Sequence, residues 1–143
     1  MADMRAQVAN ALKAGMAGLG NIVKNITYKV WTRGDEDGGG MTAFVVFSQM
    51  GFYPMVPGLP YYTIGSPTFE KVSIKLKNRK TFTVLAPGAS KENKYISKAS
   101  LNGKALDGPF FTHEALMAGG TLKLVMTDRP NKTWGAESVP PMK

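Results

Sequence analysis

The segment GDEDGGGM, residues 34–41, sets Asp35, Glu36 and Asp37 directly before three glycines and an apolar run. Four chemistries fit carboxylates beside so much unhindered backbone, and spacing separates two of them from the rest. A helix–loop–helix calcium site needs oxygen ligands at loop positions 1, 3 and 5, glycine at 6 and glutamate at 12. Counted from Asp35, position 5 is Gly39 and position 12 is Val46, so the loop does not form. A phosphate-binding loop needs lysine and a hydroxyl residue straight after its last glycine; Met41 stands there instead, and the carboxylates would repel phosphate. The third chemistry is general base catalysis on water attacking a neutral substrate such as a sugar. In extended backbone Asp35 and Asp37 point to one side and Glu36 to the other. A helix beginning near Gly40 or Met41 turns its positive end toward Asp37 and favours the ionised form a base requires. The fourth is a solvated acidic turn. Residue types alone leave the third and fourth both standing.

Little else in the chain can do chemistry unaided. There is no cysteine, which excludes a disulfide scaffold, a thiolate metal site and a cysteine nucleophile. The single histidine, His113, excludes a multi-histidine zinc site; lying in FFTHEAL, it reads as a structural residue near a helix start. Trp31 and Trp134 have faces that suit sugar rings, although packing is the more ordinary use of such side chains, above all for Trp134. The formal net charge is +8 over 143 residues. Between Glu70 and Lys104 nine Lys/Arg face only Glu70 and Glu92, a run that reads first as the polar side of strands and second as a surface for an anionic partner.

The elements that must position these residues follow from periodicity. Residues 4–19 place Val8, Leu12, Met16 and Leu19 at helical spacing after Asp3, and NIVKNITYKVW fits helix or strand equally. NIT at residues 25–27 matches an N-glycosylation sequon. MTAFVVFSQMGFY predicts a buried helix of about three turns, stopped at the Gly51 to Pro54 segment, with Phe44, Phe47 and Met50 on one face. Pro54, Pro57, Gly58 and Pro60 mark a linker, with Tyr61 and Tyr62 packing beside it. From Glu70 the period becomes two. Val72, Ile74 and Leu76 alternate with Lys71, Ser73, Lys75 and Lys77, and Phe82 and Val84 follow across a turn at Asn78-Arg79. Asn102-Gly103 is the favoured hairpin dipeptide, THEALMAGG a short helix ended by glycine, and TLKLVMT a last alternating strand. The tail RPNKTWGAESVPPMK reads as extended or frayed. No apolar run reaches the roughly 20 residues of a membrane span. The N-terminal stretch, interrupted by Lys13, lacks the pattern of a secretory signal.

Several of these segments, in order, resemble the C-terminal part of glycoside hydrolase family 92, the exo-acting α-mannosidases. GDEDGGGM (34–41), GFYP (51–54) and YTIGSPTF (62–69) fit the family's pattern, and SKENKYISKASLNGK, HEALMAGGTLKLVM and PNKTWG resemble its closing segments. The likeness runs from Gly34 to Gly135. Residues 1–33 do not resemble what precedes the acidic segment in that family, which predicts a truncated or misassembled upstream region. The resemblance implies an inverting, calcium-dependent hydrolase whose catalytic domain is an (α/α)6 barrel preceded by a β-sandwich. It places the base function on Asp37, with Asp35 as companion carboxylate.

The resulting expectation is an α+β chain. Residues 1–56 form a helical piece carrying the acidic turn, a remnant of the barrel; 57–135 form a small antiparallel β-sheet or sandwich domain; 136–143 form a tail. The resemblance implies α-mannoside glycans as the parent enzyme's substrates and usual export from the cell. No nucleic acid or membrane partner is expected. No general-acid glutamate in a matching context and no calcium ligands are found here, so the chain alone is expected to be inactive and to bind no calcium. A non-catalytic carbohydrate-binding or structural β module is the alternative. The apolar surface from Met41 to Phe52 invites self-association.

Overall fold

The computed structural model describes residues 39–140. The readings of the N-terminal helix, of NIVKNITYKVW, of the sequon, of Trp31 and of Asp35 to Asp37 therefore lie outside the described residues. Helix α1 spans Gly40–Met50, the expected three turns. The described chain then runs through β1 (Phe52–Tyr53), β2 (Tyr61–Ile64), β3 (Lys71–Lys75), β4 (Thr81–Leu85), β5 (Tyr95–Leu101), β6 (Lys104–Leu106) and β7 (Phe110–Thr112). Helix α2 (His113–Ala118) and β8 (Gly120–Thr127) complete an α+β fold.

The strands form two sheets. One has the order β1-β2-β7, the other β3-β4-β8-β5-β6. Period two decides the faces of the larger sheet: Val72, Ile74, Phe82, Val84, Leu122 and Leu124 are buried, and their alternate neighbours point outward. Both anticipated tight turns are present. Arg79 (φ 66) turns β3 into β4, and Asn102 (φ 51) with Gly103 (φ 84) turns β5 into β6. Consecutive positive φ at Asn-Gly gives the turn whose twist matches the flanking strands.

Three local expectations change. The larger sheet is mixed, because β8 runs parallel to β4 as well as antiparallel to β5. The chain leaves β4, builds β5 to β7 and α2, and re-enters beside β4 in the same direction, as a parallel pair requires. Tyr61 and Tyr62 belong to β2: the proline-rich stretch is the loop of an open β1–β2 hairpin, with Phe52 opposite Ile64 and Tyr53 opposite Thr63. On α1 the buried stripe is Thr42, Val46 and Met50, while Phe44 is 51% exposed. A helix apolar on most sides carries no polar face to select its orientation, so docking chooses it.

Helix and sheets share one core, in which Val46 and Met50 join Phe52, Ile64, Phe82, Phe111, Leu116 and Leu122. Gly51 (φ +92) ends α1, its N–H donating to the carbonyls of Phe47 and Ser48 at 3.1 Å. The N–H of Gly65 donates to Gly51 O (2.9 Å) and that of Thr68 to Gln49 O (3.0 Å), which ties the helix end to the segment between β2 and β3. Phe52 sits at the centre, its ring edge-to-face with Phe47, Tyr62, Phe82 and Phe111 at centroid distances of 5.3–6.2 Å. No helix among the described residues is long and apolar enough to cross a membrane.

Candidate functional site

The described structure begins where the acidic segment ends. Gly39 (φ +93) is the N-cap of α1 and its carbonyl accepts from the N–H of Ala43 at 3.0 Å. Left-handed backbone at this point favours glycine and turns the incoming chain sharply into the helix axis. Asp37 precedes Gly40 by three residues. Fully extended, three residues reach about 10 Å, so docking of α1 confines Asp37 to that radius from the helix start. The helix face next to this point is apolar and open: Met41 is 47% and Phe44 51% exposed, with Phe44 edge-to-face on Tyr53 at 5.1 Å. Met55 and Val56 in the β1–β2 loop are exposed as well.

Among the described residues the His, Asp and Glu side chains form no cluster of three. His113 opens α2, as expected. Its Nδ1 lies 2.9 Å from the Tyr62 hydroxyl, and its backbone N–H donates to Pro60 O at 2.8 Å. Thr112 caps the helix, its Oγ1 accepting from the N–H of Ala115 at 3.2 Å. Burial pushes the Tyr62 phenol above its ordinary pKa. Tyrosine and histidine here pin α2 and β7 to β2, and among the described residues neither faces a carboxylate partner. Among the described residues no three of His, Asp or Glu come together as a metal site.

The segment after β8 is ordered, against the expectation of a frayed tail. Asn131 holds it: Oδ1 accepts from the N–H of Thr133 (2.9 Å), from Thr133 Oγ1 (2.8 Å) and from the N–H of Trp134 (3.1 Å), while Nδ2 donates to Ser97 O (2.9 Å). The indole N–H of Trp134 donates to Leu106 O at 2.8 Å, so this ring packs against the sheet. Beside it lies a surface recess of about 430 Å³ lined by Asp107, Lys132, Thr133, Glu137 and Ser138 among others. Sequence reasoning missed this recess, because its walls come from segments thirty residues apart; the side-chain turn at Asn131 was the one local signal for it.

Comparison with known proteins bears on the acidic segment as well as the fold. Residues 29–128 match the family model of the glycosyl hydrolase family 92 catalytic domain. The match begins ahead of Gly34 and takes in residues 29–33, which the sequence reading left outside the likeness. An uncharacterized secreted glycosidase of Arthroderma benhamiae is 41% identical over 113 residues, 76% of this chain and 14% of that protein. Among solved structures, a GH92 inverting mannosidase of Bacteroides thetaiotaomicron superposes with a TM-score of 0.67 at 46% identity, over 73% of this chain and 14% of that one. An α-mannosidase of the same organism, solved in complex with mannoimidazole, gives 0.66 at 34%, over 72% and 14%. The chain thus spans about one seventh of the length of these relatives. By a family match over most of its length, this chain belongs to glycoside hydrolase family 92.

Proposed function

We propose that this chain supplies the base-bearing C-terminal part of an inverting α-mannosidase, with Asp37 as general base and Asp35 as its companion. The observation that carries the reading is that the family match, residues 29–128, joins the acidic segment to the docked helix and the β region in one homologous unit. In an inverting hydrolysis the base takes a proton from water as the water oxygen bonds to the anomeric carbon. A separate carboxylic acid, about 6.5–9.5 Å from the base, protonates the departing glycosidic oxygen on the opposite face. Asp37, ahead of a helix N-terminus, suits the first role, because the helix dipole favours its ionised form. Glu92, Glu114 and Glu137, the glutamates of the C-terminal half, lie in the β4–β5 loop, in α2 and in the segment after β8. None stands in a context that matches the family's acid.

It follows that the isolated chain releases no measurable mannose from α-mannobiose, since a base without its acid and pocket loses the benefit of proximity. Turnover that vanishes in Asp37→Asn would refute the inactivity. In a full-length relative, replacing the aspartate aligned with Asp37 should lower kcat by about 10²–10⁴, the usual yield of general base catalysis. An unchanged kcat would remove Asp37 from the role.

A second reading, a non-catalytic carbohydrate-binding module, has the recess at Asp107 and Glu137 in its favour, since pockets for small ligands begin at about 300 Å³. Titration with mannobiose, followed by Trp134 fluorescence in a Trp31→Phe background, tests it. Saturable binding lost in Asp107→Asn/Glu137→Gln supports this reading, and a flat titration rejects it.

A further inference from the structure

Strands β3, β4, β5, β6 and β8 contain five lysines and no Asp or Glu. The register sets four of them on one face. Lys71 pairs with Leu85, Leu85 with Lys123 and Lys123 with Ser100, so Lys71 and Lys123 share one cross-strand row. Lys75 lies opposite Thr81, and Lys98 opposite Val125, on the same outward side. All four lysines are exposed, and among the described residues none of them forms an ion pair. With strands about 4.8 Å apart and residues rising about 3.3 Å, neighbouring ammonium groups on this face start from backbone positions about 8–13 Å apart. Between them lie hydroxyls: Ser73 and Thr83 face each other with oxygens 3.4 Å apart, and Thr121 continues the row. Three acids adjoin these strands in sequence, Glu70 before β3, Asp107 after β6 and Asp128 after β8; Glu70 Oε1 accepts the N–H of Gly88 at 2.8 Å and Asp128 Oδ1 accepts from Thr127 Oγ1 at 3.4 Å.

Exposed sheet faces ordinarily pair opposite charges across strands, and like charges without a counter-charge repel. A hydroxyl-bearing, cationic face therefore complements an extended polyanion that also offers hydrogen-bonding groups. We propose that the outer face of the five-stranded sheet binds an acidic polysaccharide, Lys71, Lys75, Lys98 and Lys123 neutralising its anionic groups while Ser73, Thr83 and Thr121 meet its hydroxyls. The choice of a polysaccharide rests on the glycan-directed reading above; the cationic face itself does not.

The test is binding of the whole chain to polygalacturonate, a neutral mannan and a single-stranded DNA of matched charge, with no hydrolysis read out. Polygalacturonate should bind, weakening log-linearly between about 50 and about 200 mM salt, the signature of released counterions. The mannan should bind at least tenfold less tightly. The quadruple K71Q/K75Q/K98Q/K123Q should lose about tenfold or more in affinity. K80Q/K91Q/K94Q/K104Q, which removes equal charge elsewhere, should stay within about twofold of wild type. Unchanged melting of both variants shows that fold is retained. Three results overturn the proposal: equal losses in the two quadruples, DNA bound as tightly as polygalacturonate, or no salt-dependent binding. Loss of the glycosidase reading alone would leave the polygalacturonate and quadruple results as they are.

Discussion

Phe52→Ala tests whether the helix beside the acidic segment and the two sheets are one cooperative unit. Phe52 is 2% exposed and meets four other aromatic rings, one from α1, one from β2, one from β4 and one from β7. Truncating a buried phenylalanine costs about 3–5 kcal/mol in transfer and cavity terms together. Four edge contacts, each worth a fraction of a kcal/mol to somewhat above one, put this site at the upper end. A domain of about 100 residues has a total stability of about 5–15 kcal/mol. The substitution therefore removes a third of the stability or more. At a urea slope of about 1.5 kcal/mol/M, the midpoint falls by about 2–3 M. Phe44→Ala is the matched control, since Phe44 is 51% exposed with one ring contact among the described residues, to Tyr53, and should cost under about 1 kcal/mol. Urea unfolding is followed by circular dichroism and by Trp134 fluorescence in a Trp31→Phe background. Equal shifts for the two variants would refute the shared core. So would a Phe52→Ala chain that loses helix signal while Trp134 still unfolds at the wild-type midpoint.

Two further outcomes follow from local geometry. Gly120→Ala should cost more than about 2 kcal/mol in the same urea assay, because Gly120 has φ +116 and an added Cβ would fall on the Asn102 amide, whose Oδ1 accepts the N–H of Thr121 at 2.7 Å; a loss below about 0.5 kcal/mol would contradict it. The raised Tyr62 pKa gives a signed pH dependence. The folded state favours the protonated phenol, so this contribution is complete below tyrosine's ordinary 10.0 and is lost as pH rises from there through the folded pKa. Wild type should therefore lose stability more steeply above about pH 10 than Tyr62→Phe, and parallel curves would remove Tyr62 as the cause.

Where one face of an element is buried and the other wet, alternation reveals it, and the inward faces of β3, β4 and β8 were legible, although Leu76 lies past the end of β3. Asn102-Gly103 was legible because positive φ at two successive positions is cheap for few residue pairs. The partners of β8 were not, because strand order depends on contacts between residues about forty apart, and no local pattern encodes whether a returning strand enters parallel or antiparallel. Nor was the docked face of α1: apolar residues on nearly every side let Thr42 be buried while Phe44 stays out. The tail looked frayed because its order resides in one side chain, Asn131, which gathers hydrogen bonds that composition does not announce. For the acidic segment, residue types left catalysis and a solvated turn both open, and the surrounding GFYP and IGSP segments decided for the family.

On the proposal that Asp37 is the base, α1 is the described element next to it in the chain, and Gly51 sets how α1 docks. Gly51 combines φ +92 with a close approach: an added Cβ would stand 2.9 Å from Pro67 Cβ and 3.2 Å from Gly65 O, both parts of the folded framework. Alanine here must strain its own backbone or push α1 away from the sheet, costing about 1–3 kcal/mol. Since Asp37 lies within about 10 Å of chain from the helix start, a tilt of α1 carries it along. Misplacing a catalytic group by about 1 Å costs on the order of 10²-fold in rate. In a full-length relative, the glycine aligned with Gly51 should therefore behave as a positioning residue: its alanine variant, still fully folded by urea titration, should lose kcat with little change in KM. A variant with normal kcat, or one whose activity loss matches its unfolded fraction, would show that the helix end does not set where the base stands.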